Sequence, residues 1–125
     1  MKDRDMLRRI LVVDDDRDIV YMIAEFLKKN GYEVLTASDG EQALERIKTD
    51  APDLIIADLT MPKMGGWHFT QKVREDKDHA KIPIIVLSGL LEADSEPESF
   101  EAANAYMGKP FDIFKLHAKI RELLN

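Results

Sequence analysis

The chain has 125 residues, enough for one domain with a real core, and 45 % of them are hydrophobic against 34 % charged; this balance belongs to a folded globular protein and excludes a disordered one. A net charge of −6 argues against a surface for nucleic acid or anionic membrane, because both need clustered Lys and Arg. There is no Cys, which excludes disulfide frameworks and thiolate metal sites. The charged N-terminal stretch backed only by Ile10-Leu11-Val12-Val13 reads as neither signal peptide nor membrane span, so the expected compartment is the cytoplasm.

That first apolar run is β-branched and short, the pattern of a strand buried on both faces. Asp14, Asp15 and Asp16 follow it at once. A helical stripe comes next, with Ile19, Ile23 and Leu27 spaced by four and with Met22 and Phe26 on the same side. Asn30-Gly31 stops it, Gly31 standing just past the helix end. Residues 33–37 alternate as a second strand. Asp39-Gly40 opens a second helix with Ala43, Leu44 and Ile47 inward, and Ala51-Pro52 breaks it.

Residues 54–57 form a third strand that ends on a lone carboxylate, Asp58, and Pro62 through Gly66 is a loop. Phe69 and Val73 set the inner face of a third helix running to about Asp76. A polar connector over 77–81 leads to a fourth strand over 83–87, ended by Ser88-Gly89. Ser95-Glu96-Pro97-Glu98 has the Ser-x-x-Glu spacing of a capping box, so a short fourth helix is expected from about Ser95; a helix from Glu92 kinked at Pro97 is the other arrangement. Residues 105–107 make a short fifth strand, and Lys109-Pro110 follows. The last helix covers 112–124, with Ile113, Leu116, Ile120, Leu123 and Leu124 inward.

Five strands alternating with five helices predict a single α/β domain over 1–125, its core at about 9–124, with a parallel sheet covered on both faces. Ligands of such sheets bind outside the carboxyl ends of the strands. Those ends gather Asp14 and Asp15 from the first strand, Asp58 from the third, Ser88 from the fourth and Lys109 just past the fifth. A solitary acid at a strand end is usually a solvated cap. Three acids, a hydroxyl and a lysine on neighbouring strand ends point to chemistry. Crowded carboxylates raise each other's pKa unless a cation relieves them, and an all-oxygen set selects a hard ion such as Mg²⁺. Mg²⁺ beside a free carboxylate and a lysine suits phosphoryl transfer onto Asp58.

Taken together, LVVDD, DLIIADLTMPKMGG, IIVLSG and YMGKPF resemble the receiver domain of two-component response regulators, over about residues 9–124. The resemblance implies a flavodoxin-like (βα)5 fold with strand order 2-1-3-4-5, an order for which a receiver is itself the standard example. It implies Asp58 as phosphoacceptor. It implies Asp15, Asp58 and the backbone carbonyl of Thr60 as ligands of Mg²⁺ (or Mn²⁺), with Asp14 acting through water. Ser88 would bond the phosphoryl group, Lys109 before Pro110 would pair with it, and Tyr106 would be the aromatic switch residue. The implied partners are a sensor histidine kinase or histidine phosphotransfer protein and an output domain or target protein, with neither nucleic acid nor membrane touched directly. A phosphorylation-dependent homodimer is compatible with it. The surface to be switched is that of the fourth helix, fifth strand and fifth helix. The sequence departs from the family pattern at Gly65, Ala103 and Gly108, none of which removes a site group.

Other readings are weaker. Asp14-x-Asp16-x-Asp18 mimics part of an EF-hand, but Ile19 stands where Gly is needed and a strand precedes it. Asp14-x-Asp16 also mimics the nucleophile motif of haloacid-dehalogenase-type phosphatases, yet Asp18 stands where Thr or Val is expected and the chain is too small for a cap. A vestigial receiver serving as a constitutive interaction module is a further alternative. His68, His79 and His117 read as surface residues, and Trp67 as partly buried at a helix start.

Overall fold

The computed structural model describes residues 7–59, 61, 63–89 and 102–125. In chain order the elements are β1 (Arg9–Val13), α1 (Arg17–Lys29), β2 (Glu33–Ala37), α2 (Gly40–Asp50), β3 (Leu54–Asp58), α3 (Gly66–Glu75), β4 (Ile84–Ser88), β5 (Ala105–Gly108) and α4 (Ile113–Leu124). The strands form one five-stranded sheet in the order β2-β1-β3-β4-β5, parallel throughout. This is the expected doubly wound architecture. The expected fourth helix from about Ser95 lies outside the described residues, so α4 is the last helix of the chain.

Alternation along each strand builds two cores. Leu11, Val13, Ile55, Ala57, Ile84 and Val86 face α2 and α3 on one side, where Ala43, Ile47, Phe69 and Val73 meet them. Ile10, Val12, Leu54, Ile56, Ile85 and Leu87 face α1 and α4 on the other, with Ile23, Leu27, Leu116 and Ile120. Strands apolar at successive positions are the consequence of burial on both faces.

Local chemistry sets the helix ends. The Asp16 carboxylate caps α1 by accepting from the backbone N–H groups of Asp18 and Ile19, Asp39 caps α2 through Gln42, and Asp112 caps α4 through Phe114. Gly31, at φ 92°, turns the chain out of α1 as expected. β3 and β4 each run one residue further than the apolar runs, so that Asp58 and Ser88 are still strand residues. The inner stripe of α1 differs from expectation. Met22 is 47 % exposed and Tyr21 67 % exposed, whereas Ala24 is buried with Ile23 and Leu27. The helix packs along the 23–24–27 line, which leaves position 22 at its outer margin.

Candidate functional site

Parallel strands place their carboxyl ends at one edge, and four of the five deliver polar groups there. Asp14 is the first residue beyond β1, and its N–H donates to the Ala37 carbonyl at the end of β2 (3.2 Å). Asp58 is the last residue of β3 and Ser88 the last of β4; both are buried, at 6 % and 1 % exposure. Lys109 follows β5, and its N–H donates to the Ser88 carbonyl (2.8 Å). The peptide bond from Lys109 to Pro110 is cis.

The side chains converge. The Lys109 ammonium lies 2.8 Å from Asp58 Oδ1 and 3.0 Å from Asp14 Oδ2. Carboxylate oxygens of Asp14, Asp15 and Asp58 all lie within 4.8 Å of one another, with Asp15 on the exposed rim. The three consecutive acids therefore do separate work: Asp14 faces the crevice, Asp15 the rim, and Asp16 caps the helix. Asp14 Oδ1 also accepts from the Asp16 N–H (3.0 Å).

Burial pushes the Asp14 carboxyl above its ordinary range, with the Asp58 charge acting the same way. The Asp16 N–H and the Lys109 hydrogen bond oppose this without cancelling it. For Lys109, burial acts to lower the pKa, but hydrogen bonds and charge from Asp58 and Asp14 outweigh it and hold the ammonium above its ordinary value. Three carboxylates against one ammonium leave two formal negative charges in a crevice where Asp14 and Asp58 are buried and Asp15 meets solvent. Oxygen-only donors with that surplus fit a hard divalent cation.

A glycine shapes the floor. A Cβ on Gly66 would come within 2.6 Å of the Asp58 carbonyl oxygen and 2.9 Å of the Leu59 Cα, and the Gly66 N–H donates to the Leu59 carbonyl (2.7 Å). The start of α3 therefore rests directly on the backbone of Asp58 and Leu59, which only glycine permits. Gly65-Gly66 by itself signals only a turn; the close approach carries no local signal beyond the glycine pair itself.

Tyr106 is half-buried in β5, paired with Val86 and packed against the core on the α2–α3 side. Ser88 lies two residues beyond Val86 and so shares that face. Thr60 lies outside the described residues. Trp67 is half-buried at the start of α3, as expected. His68 is exposed, but two of the three histidines are not simple surface residues. His79 is hydrogen-bonded to Asp76 (3.0 Å), and His117 is half-buried against Tyr32 (3.1 Å) and Phe26. Asp16, as the α1 cap, does not enter the crevice, which removes the acid pair that a dehalogenase-type site needs.

The fold and the convergent acid–lysine edge define a phosphoacceptor signalling domain of the α/β class. Residues 10–121 match the response regulator receiver domain family, and the chain belongs to that family. It is 38 % identical over 121 residues to the alkaline phosphatase synthesis transcriptional regulatory protein PhoP of Bacillus subtilis, covering 96 % of this chain and 50 % of that protein. It is 36 % identical over 118 residues to the DNA-binding dual master transcriptional regulator RpaA of Synechocystis, covering 94 % and 49 %. The chain thus spans about half the length of these curated relatives.

Among solved structures, a response regulator from Chloroflexus aurantiacus superposes with a TM-score of 0.88 at 33 % identity, covering 94 % of this chain and 98 % of that one. TrrA of Thermotoga maritima, solved in complex with Mg²⁺ and BeF, superposes at 0.84 with 36 % identity, covering 94 % and 100 %. The PA1611 receiver of Pseudomonas aeruginosa, solved with magnesium in its active-site cleft, gives 0.86 at 26 % identity, covering 94 % and 98 %. Neither the dehalogenase reading nor the EF-hand reading finds support beside these. Among the described residues no helix is long and apolar enough to cross a membrane.

Proposed function

We propose that this receiver takes a phosphoryl group onto Asp58 from the phosphohistidine of a sensor kinase or phosphotransfer protein. The observation that carries the reading is the Lys109 ammonium, 2.8 Å from Asp58, beside a triad of acids at the strand edge. A carboxylate oxygen of Asp58 attacks phosphorus in line, the P–N bond breaks, and the bonding pair leaves on the imidazole nitrogen. Lys109 and the Ser88 hydroxyl then hold the oxygens of the new phosphoryl group. Asp15, Asp58 and the carbonyl of Thr60 would hold Mg²⁺ (or Mn²⁺), with Asp14 contributing through water. The ion supplies charge neutralisation of the transferring group, worth several kcal/mol, roughly. The same residues position water for the later hydrolysis, so the domain promotes both its own labelling and its own reset.

The phosphoryl group adds roughly −1.5 to −2 charge to the edge. Ser88 and Lys109 turn toward it, and Tyr106, on the Ser88 face, moves inward behind it. This biases the surface made by the fourth helix expected from about Ser95, which lies outside the described residues, together with β5 and the last helix, α4. The acid set argues against the vestigial module, which has no use for it. The domain is assigned residues 1–125 and a cytoplasmic setting. With its acidic surface it touches no nucleic acid itself. Transcriptional regulators about twice its length among the relatives, one of them named as DNA-binding, suggest an output half or a separate target protein.

Incubation with acetyl phosphate and Mg²⁺ should add one phosphoryl group, visible by intact mass. Chelation should abolish labelling, and Asp58→Asn should not label. Equal labelling of Asp58→Asn would overturn the assignment.

A further inference from the structure

Met64 lies six residues beyond Asp58, on the loop that also carries Thr60. It packs against the start of α2. A Cβ built on Gly40 would meet Met64 Cβ at 2.9 Å, Sδ at 3.0 Å and Cγ at 3.1 Å. Gly40 is the first residue of α2 and is buried. The crowded atom is Cβ, the root of the Met64 side chain, so relief by a new rotamer is closed and the Met64 backbone must move. Beside this contact, Lys63 Nζ lies 3.8 Å from Oδ2 of the α2 cap Asp39. Lys63 itself sits at φ 70°, a left-handed conformation that surrounding structure must hold in place.

From Met64 the chain has two glycines to reach α3. Gly65 lies against the Leu59 carbonyl, where a Cβ would come to 3.3 Å, and Gly66 lies on the Asp58 carbonyl. The backbone that bears Asp58 is thus gripped from one side by β4, through the Leu59 N–H to the Leu87 carbonyl (2.8 Å). From the other side it is gripped by a chain of contacts from Gly40 through Met64 to Gly66.

We propose that Gly40 and Met64 are positioning residues of the phosphorylation site: the start of α2, through Met64, sets the Asp58 loop for cation binding. This rests on the assignment of Asp58 and its neighbours as the cation site. It gives α2, which places no side chain in the acid cluster, a part in the chemistry.

The test is Mg²⁺ titration of the purified chain, followed by fluorescence of Trp67, the single tryptophan, which lies next to Gly66 and packs on the same core as Met64. Removing a supporting contact behind metal ligands typically costs about ten-fold or more in affinity. Gly40→Ala should weaken Mg²⁺ binding by about that factor. Adding Met64→Gly, which removes the crowded Cβ together with Cγ and Sδ, should recover at least half of the loss on a logarithmic scale. Faster amide exchange at the Gly66 N–H in Gly40→Ala is expected as well. Met64→Ala alone, which crowds nothing, should weaken binding by a smaller factor and keeps the test open if Gly40→Ala does not fold.

Parent-like Mg²⁺ affinity in folded Gly40→Ala, or in Met64→Ala when Gly40→Ala does not fold, overturns the proposal. So does a double variant no tighter than Gly40→Ala. Asp58→Asn is the reference: if it binds Mg²⁺ like the parent, the site assignment fails and the positioning role with it. If it loses binding while Gly40→Ala does not, only the positioning role fails.

Discussion

Arg74 on α3 carries a half-buried guanidinium that, among the described residues, meets no carboxylate. Burial pushes its pKa below the ordinary arginine value. Its donors go to carbonyls: Nε to Ala102 (2.8 Å), and Nη1 to Ala80 (3.0 Å) and Ile82 (2.7 Å), while Nη2 donates to the Asn104 side-chain oxygen (2.8 Å). That oxygen also accepts from the Ile84 N–H at the start of β4 (2.9 Å). One side chain thereby ties α3, the connector before β4 and the entry to β5. Arg74→Met keeps the stem and deletes all four bonds. The bonds are only partly buried, so the low end of the cost per acceptor left without its donor applies, about 1 kcal/mol each. Three carbonyls give about 3 kcal/mol, a large share of the roughly 5–15 kcal/mol of a typical domain. Urea denaturation followed by circular dichroism measures it, with Arg74→Lys as comparison. An ammonium reaches one or two of the acceptors, not the fork of four, so the lysine variant should fall between. A loss below 1 kcal/mol in Arg74→Met, or a lysine variant as stable as the parent, refutes the reasoning.

The Thr70 hydroxyl on α3 is fully buried and, among the described residues, has no hydrogen-bond partner; Thr70→Val, which keeps the shape, should stabilise the domain by about 1 kcal/mol in the same urea assay. A variant less stable than the parent would show that the hydroxyl is satisfied. His117 accepts from Arg121 Nη1 at Nδ1 (3.0 Å) and so must donate from Nε2 to the Tyr32 hydroxyl (3.1 Å), which is the neutral ring. Burial first, and then the Arg121 charge, holds its pKa below the ordinary 6.5. The unfolded chain therefore takes up the proton first as pH falls. Stability is full above about pH 6.5 and declines below it as pH drops through the folded value. His117→Gln should make that acid-side decline shallower in melting temperature measured from pH 7.5 to 5; an unchanged profile refutes the assignment.

Much of the fold was legible because its strands are buried on both faces. Ile10-Leu11-Val12-Val13 and Ile84-Ile85-Val86-Leu87 need no alternation to interpret, and parallel pairing follows from the helices between them. The strand-end groups were legible for the same reason: one topological rule gathers Asp14, Asp58, Ser88 and Lys109 from positions 14 to 109. Met22 was misplaced because a helical stripe fixes a direction only to within one residue, and the packing chose the 23–24–27 line. His79 is held by Asp76, three residues before it, in a stretch that reads only as a polar connector, while the half-buried setting of His117 depends on Tyr32 and Phe26, partners that only tertiary structure supplies. Arg74 bonding Ala102 and Asn104, some thirty residues away, and Gly66 resting on the Asp58 backbone are contacts that leave no periodicity in the sequence.

The run Asp14-Asp15-Asp16 has a genetic consequence. Deleting any one of the three codons yields the same polypeptide, with Arg17 following two acids. If β1 keeps its pairing with β2 and β3, the crevice and rim acids survive. Arg17 then stands where Asp16 accepted two N–H groups of α1. Such a deletion would look silent for the acid cluster, yet it removes a helix cap worth about 1 kcal/mol and sets a cation against the positive end of the helix. Three identical letters hold three offices that are not interchangeable, and the one exposed to a slip is the structural one.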